Sequence, residues 1–156
     1  MLMLIFQAGD ERYALATDQV VEVVPMVILR QLRHAPDYIA GAFNYQGQVV
    51  PVLDLNYLLN GANSRPFLST RIILTNFANH EGDRHILGLM AERVTQTIEL
   101  AETDLVDAGY HTLDTPYLGK MTLSQTDMIQ CIQVEQLLPL VAKDNLFLAL
   151  EGSKVD

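Results

Sequence analysis

Short apolar runs recur along this 156-residue chain, each closed by a turn signal at intervals of roughly eight to twelve residues. Many short strands at such spacing predict an all-β chain built as small barrels or a sandwich. Leu2–Gln7 is apolar on both faces, as in a strand covered on both sides. Gly9-Asp10-Glu11 breaks it and Arg12–Ala16 resumes, so the pair reads as a hairpin. Asp18–Val24 stays open between two readings: its β-branched valines favour a strand, while Thr17 or Asp18 could first cap a single helical turn. Pro25 ends that element, having no N–H to offer and biasing Val24 toward extended backbone.

The next stretch is sharper. Ala42–Tyr45, Gln46-Gly47 and Gln48–Leu53 form a second predicted hairpin, with Gly47 supplying the positive φ of a solvent-facing turn. Val49–Leu53 is continuously apolar and expected to be buried, and Pro51 within it implies an edge or a bulge. Asp54 is placed to cap a short helix over Leu55–Leu59, closed by Asn60-Gly61, with Asn63–Pro66 leading into the second half. A third hairpin is expected from Thr70–Phe77 and His85–Ala91. Val94–Leu100 alternates as a separate half-exposed strand, and 101–116 reads as an irregular acidic loop. Met128–Val134 reads as a strand and Glu135–Leu138 as a short helix stopped by Pro139. Leu146–Leu150 is a terminal element of open type.

Composition narrows the function classes. Apolar residues make up 49% of the chain, ample for a core, so disorder is excluded. A net charge of −9 and a pI near 4.7 supply no phosphate-neutralising surface, and aromatics are 7%, so nucleic acid is not an expected partner. The acid is uneven: residues 1–66 hold six acids and four bases, residues 67–156 thirteen and six. The longest apolar runs, Met1–Phe6 and Ile86–Ala91, fall far short of the roughly 18 residues a spanning helix needs, so no membrane insertion is expected. With the lone Cys131 unable to form an internal disulfide, the expected compartment is the cytoplasm.

Chemistry is sparse. His34, His80, His85 and His111 never fall at ligand spacing, and one cysteine cannot complete a zinc set, so neither metal nor other cofactor is expected. Cys131 sits between isoleucines with no neighbouring base to activate it. No dinucleotide fingerprint, Walker loop or nucleophile elbow is present. Glu99, Glu102, Asp104 and Asp107 lack the ligand order of a calcium loop and read as a solvated face. With no catalytic set, the residues themselves describe an acidic, strand-rich interaction module.

Tyr13-Ala14-Leu15 with Val20–Pro25, then Ala35–Leu55, then Ile86–Val94 form three blocks that together resemble the CheW family, the coupling proteins of bacterial chemosensory arrays. Tyr13-Ala14-Leu15 followed by Val20–Pro25 is similar to the family opening. Ala35–Leu55 resembles its most diagnostic stretch, "AP..I.G..N.RG.V.PV.DL". Ile86–Val94 resembles its "..G..VD.V", and a weaker match follows at Tyr117-Leu118-Gly119 and Met128–Leu138. The resemblance implies two SH3-like five-stranded barrels packed side by side with a few short helices. It implies a single domain over 1–150, with approximate subdomains 11–66 and 67–145 between which terminal strands cross, and a tail at 151–156. It also implies a non-enzymatic adaptor between the cytoplasmic tip of chemoreceptors and the P5 regulatory domain of a CheA-type histidine kinase, recruited to membrane-associated arrays. The positions it marks as receptor- or kinase-binding are Val20, Glu22, Gly41, Asn44, Gln46 and Gly47. Each has a structural reading beside it: core packing for Val20, turn or close packing for the glycines, and a self-bonded turn for Asn44. The family typically carries Asn-x-Arg-Gly, with the arginine associated with receptor coupling, whereas this chain has Asn44-Tyr45-Gln46-Gly47. Glutamine has neither the charge nor the forked donors of arginine. The competing reading is a small-ligand-binding β-barrel outside chemosensory signalling, which requires a pocket with converging polar groups.

Overall fold

The computed structural model describes residues 1–78, 84–107, 115, 117–123 and 128–137. The described residues are mostly strand: ten strands and a few short helical turns, arranged as two small barrels that share one long strand. β1 (Leu2–Ala8) and β2 (Glu11–Ala16) form the expected antiparallel hairpin. A 3-10 turn at Thr17–Gln19 then hands over to β3 (Val20–Pro25), so the two readings left open for this stretch occur in succession. β4 (Ile39–Tyr45) and β5 (Gln48–Asp54) make the second hairpin, followed by α1 (Leu55–Asn60). Asp54 caps α1, accepting from the backbone N–H groups of Asn56 (3.0 Å) and Tyr57 (3.3 Å). It also ties down the following loop, accepting from the Ser64 N–H (2.8 Å) and hydroxyl (2.6 Å).

Two segments read as separate strands turn out to be one. β7 runs unbroken over Arg84–Glu99. Its first half pairs antiparallel with β6 (Arg71–Ala78) and parallel with β5, and its second half pairs with β1. The sequence suggests a break because Glu92-Arg93 puts two charges into an apolar strand. Glu92 is nevertheless buried, held by the backbone N–H of Arg65 and by its guanidinium at 3.1–3.2 Å. Arg93 adopts φ 53, which kinks the strand where it passes from one barrel to the other.

The first barrel has the order β4-β5-β7-β6-β3, drawn from residues 20–54 and 71–91. The second joins the latter half of β7 to β1, β2, β10 (Met128–Ile132), β9 (Leu118–Leu123) and β8 (Leu105–Val106). Here the N-terminal β2 lies parallel to β10, with Arg12 opposite Ile129 and Leu15 opposite Ile132. The expected loop over 101–116 contains a 3-10 turn at Glu102–Asp104 and the edge strand β8, and β9 was not expected as a strand. The chain after β10 makes a 3-10 turn at Val134–Gln136, where a short helix was expected. Leu146–Leu150 and the 151–156 tail lie outside the described residues.

The core follows from alternation. Leu4, Phe6 and Ala8 of β1 join a cluster with Leu15, Leu53, Leu55, Ile73, Leu87, Leu89 and Ile132, which fuses the two barrels. Met3 and Ile5 on the opposite face of β1 pack with Ala14, Leu100, Ile129 and Cys131. Val50 and Val52 of β5 meet Ile72, Leu74 and Met90 inside the first barrel. Strands β1 and β5 are thus covered on both faces, as their uninterrupted apolar sequences require. Val49 departs from the expected burial: at 37% exposure it lies on the surface at the start of β5. Pro51 stands just before the parallel ladder to β7 begins at Val52, so its missing N–H leaves that ladder intact.

Candidate functional site

In the first barrel β3 and β4 are the two ends of the strand order, so no strand ladder joins them. Among the described residues, hydrogen bonds at two places bridge the seam between them. The segment after β3 returns along β4, where Arg30 and Ala42 exchange backbone hydrogen bonds of 2.8 and 2.9 Å. Further along, the Tyr45 hydroxyl at the end of β4 donates to the Glu22 carboxylate on β3. That hydrogen bond, with smaller contributions from desolvation and from the Glu22 charge, raises the Tyr45 phenol above its ordinary pKa. The Tyr45 ring is set by an edge-on contact with Phe43, centroids 6.3 Å apart, and both rings pack against the Val50 cluster.

The turn joining β4 to β5 is fixed by its own side chains. Gln46 (φ 50) and Gly47 (φ 85) both take positive φ, as the central pair of a primed two-residue hairpin turn does. Asn44 Oδ1 accepts from the Gly47 N–H at 2.8 Å, so this asparagine serves its own turn. Gly41 is required by packing. Its φ is 147, and a Cβ there would stand 2.6 Å from the Arg30 carbonyl oxygen and 2.9 Å from Leu29 Cβ. Gly41 is what lets the returning segment lie against β4.

On β3, Val20 is half-buried against the large shared core. The register then shifts between Val20 and Glu22, a bulge that leaves Val21 exposed beside the exposed Glu22. The six sequence-marked residues consequently split. Glu22, Gln46 and the turn at Asn44 and Gly47 are at the surface, Gly41 is buried, and Val20 packs inward. Two exposed valines, Val21 on β3 and Val49 on β5, and the bridging Tyr45 on β4 were not singled out by sequence. Period-two alternation hides Val21, because one bulged residue exchanges the faces of β3.

Among the described residues no group of three or more His, Cys, Asp or Glu could hold a metal ion. No helix among them is long and apolar enough to cross a membrane. A groove of about 360 Å³ in the second barrel is bordered by Met3, Ala16, Leu105, Cys131 and Val134. Burial pushes the Cys131 thiol up from its ordinary pKa, which keeps it protonated and a poor nucleophile.

The CheW-like domain family model matches residues 2–142. The chemotaxis protein CheW of Helicobacter pylori is 25% identical over 134 residues, covering 85% of this chain and 78% of that protein. The Klebsiella aerogenes chemotaxis protein CheW is 27% identical over 141 residues, with 86% and 80% covered. Protein FrzA of Myxococcus xanthus is 29% identical over 101 residues, with 65% and 60% covered. The crystal structure of the scaffolding protein TtCheW from Thermoanaerobacter tengcongensis superposes with a TM-score of 0.71 at 25% identity, covering 84% of this chain and 82% of that one.

Proposed function

This chain belongs to the CheW-like domain family, and on that premise we propose that it is a non-enzymatic coupling protein of a bacterial chemosensory array. In this reading it bridges the cytoplasmic tip of a methyl-accepting type chemoreceptor and the P5 regulatory domain of a CheA-type histidine kinase. It works in the cytoplasm and is held at membrane-associated arrays by those two partners. The observation that carries the reading is the family match over residues 2–142. The physical character of the molecule fits the role. Such a bridge needs rigid surfaces rather than reacting groups, and the first barrel's seam is rigidified by a backbone bridge, a capped turn and a side-chain bond.

The contact roles divide as the geometry divides the residues. Glu22 and Gln46 meet a partner directly, together with the exposed Val21 and Val49. Gly41, Asn44 and Gly47 shape the hairpin that presents them, and Val20 anchors β3 to the core. Exposed apolar residues presented with polar ones suit the contact-dominated energetics of protein interfaces. Calorimetric titration against the P5 domain encoded nearest this gene tests the proposal. Association at micromolar to tens of micromolar concentration is expected, and no complex at tens of micromolar contradicts it.

A further inference from the structure

We infer that Tyr45 is a positioning residue: by bonding Glu22 across the open seam of the first barrel, it fixes the Glu22 carboxylate to receive a cationic side chain of the partner. The inference rests on the reading of β3 and the β4–β5 hairpin as a contact face. Glu22 is exposed on an edge strand beside a bulge, where a free glutamate would sample several rotamers. The Tyr45 hydroxyl removes that freedom by donating to Oε2, and leaves Oε1 unclaimed by that bond. Tyr45 is itself held, its ring fixed by Phe43 and by the Val50 cluster. The anchor thus runs from the core through an aromatic stem to the carboxylate. The raised phenol pKa accords with a hydroxyl that donates to a charged acceptor.

The chemistry of the neighbouring positions specifies the partner group. Tyr45 is a neutral donor, so its bond orients the negative charge of Glu22 without cancelling it. A face carrying an oriented carboxylate beside the exposed Val21 fits a lysine or arginine flanked by an apolar residue. Seam closure alone would make Tyr45 a matter of stability. Positioning makes its effect on binding conditional on Glu22.

The test is a double-mutant cycle with Tyr45→Phe and Glu22→Ala. It is read by calorimetric binding to a helical-hairpin fragment of a methyl-accepting chemoreceptor tip, alongside a ¹³C NMR titration of the tyrosine rings in the free proteins. Tyr45→Phe keeps the ring and removes the hydroxyl; it is expected to weaken binding about five-fold, and to have no effect in the Glu22→Ala background. Tyr45 is expected to titrate at lower pH in Glu22→Ala than in the wild type. Equal losses from Tyr45→Phe in both backgrounds, or wild-type binding by Tyr45→Phe, overturn the inference. If the wild type does not bind the receptor tip, the coupling reading fails. The titration then decides the role of Tyr45, and identical curves for wild type and Glu22→Ala overturn it.

Discussion

Gly41→Ala separates a glycine that contacts a partner from one that builds the face. A methyl group at this position would lie 2.6 Å from the Arg30 carbonyl oxygen and 2.9 Å from Leu29 Cβ, and neither the Arg30 carbonyl nor Leu29 Cβ is the end of a flexible side chain. The backbone has φ 147, a region nearly reserved for glycine, so alanine there adds strain of about 1–3 kcal/mol. Relieving the overlap moves the returning segment off β4 and breaks both Arg30–Ala42 hydrogen bonds, each worth about 1 kcal/mol net. The sum is about 3–5 kcal/mol, a large share of the ~5–15 kcal/mol that holds a domain together. Gly47→Ala is the control: nothing lies within 4 Å of its Cβ position, so only the φ of 85 is unfavourable, at about 1–2 kcal/mol. In urea unfolding followed by circular dichroism, Gly41→Ala should lower the midpoint by about 2 M and Gly47→Ala by only about 0.5–1 M, for a slope of about 2 kcal/mol per molar. A Gly41→Ala protein as stable as the wild type but unable to bind its partners would refute this account and make Gly41 a contact residue.

Other substitutions have equally definite outcomes. Asp54→Ala removes the cap of α1, worth about 1 kcal/mol, and orphans the N–H and hydroxyl of Ser64 at about 1 kcal/mol each; urea unfolding should show a loss of about 3 kcal/mol. Gln46→Asn puts a residue suited to positive φ at φ 50 and should raise the unfolding midpoint by the equivalent of about 0.5 kcal/mol. The buried Cys131 should react with iodoacetamide at pH 8 at least about ten-fold more slowly in the native protein than in urea. Its folded pKa is raised, so its contribution to stability is intact below the ordinary thiol value of 9.0 and is lost as pH climbs through the folded value; Cys131→Ala should flatten that alkaline decline.

The elements legible in the sequence are those whose determinants are local. The β1–β2 and β4–β5 hairpins follow from apolar runs flanking Gly9-Asp10 and Gln46-Gly47, and α1 follows from the cap at Asp54. The continuity of β7 was illegible because Glu92 is made tolerable by Arg65, which arrives from a distant loop. The parallel pairing of β2 with β10 joins opposite ends of the chain, and no local pattern encodes it. β9 was hidden by Gly119 and Lys120, which lower the strand character of Leu118–Leu123. At the site, charge and turn chemistry placed Glu22, Gln46 and Gly47 at the surface. Tyr45 escaped notice because alternation alone groups it with Phe43, and only the closing of the seam brings its hydroxyl to Glu22.

The claim that this chain couples receptor to kinase is tested most directly by bridging. A chemoreceptor-tip fragment is immobilised and a kinase fragment containing the P5 domain is passed over it, with and without this protein. The account predicts that the kinase fragment is retained only when the protein is present, and that retention falls with Glu22→Ala. Retention of the kinase that is the same with and without the protein, across concentrations up to tens of micromolar, would contradict it.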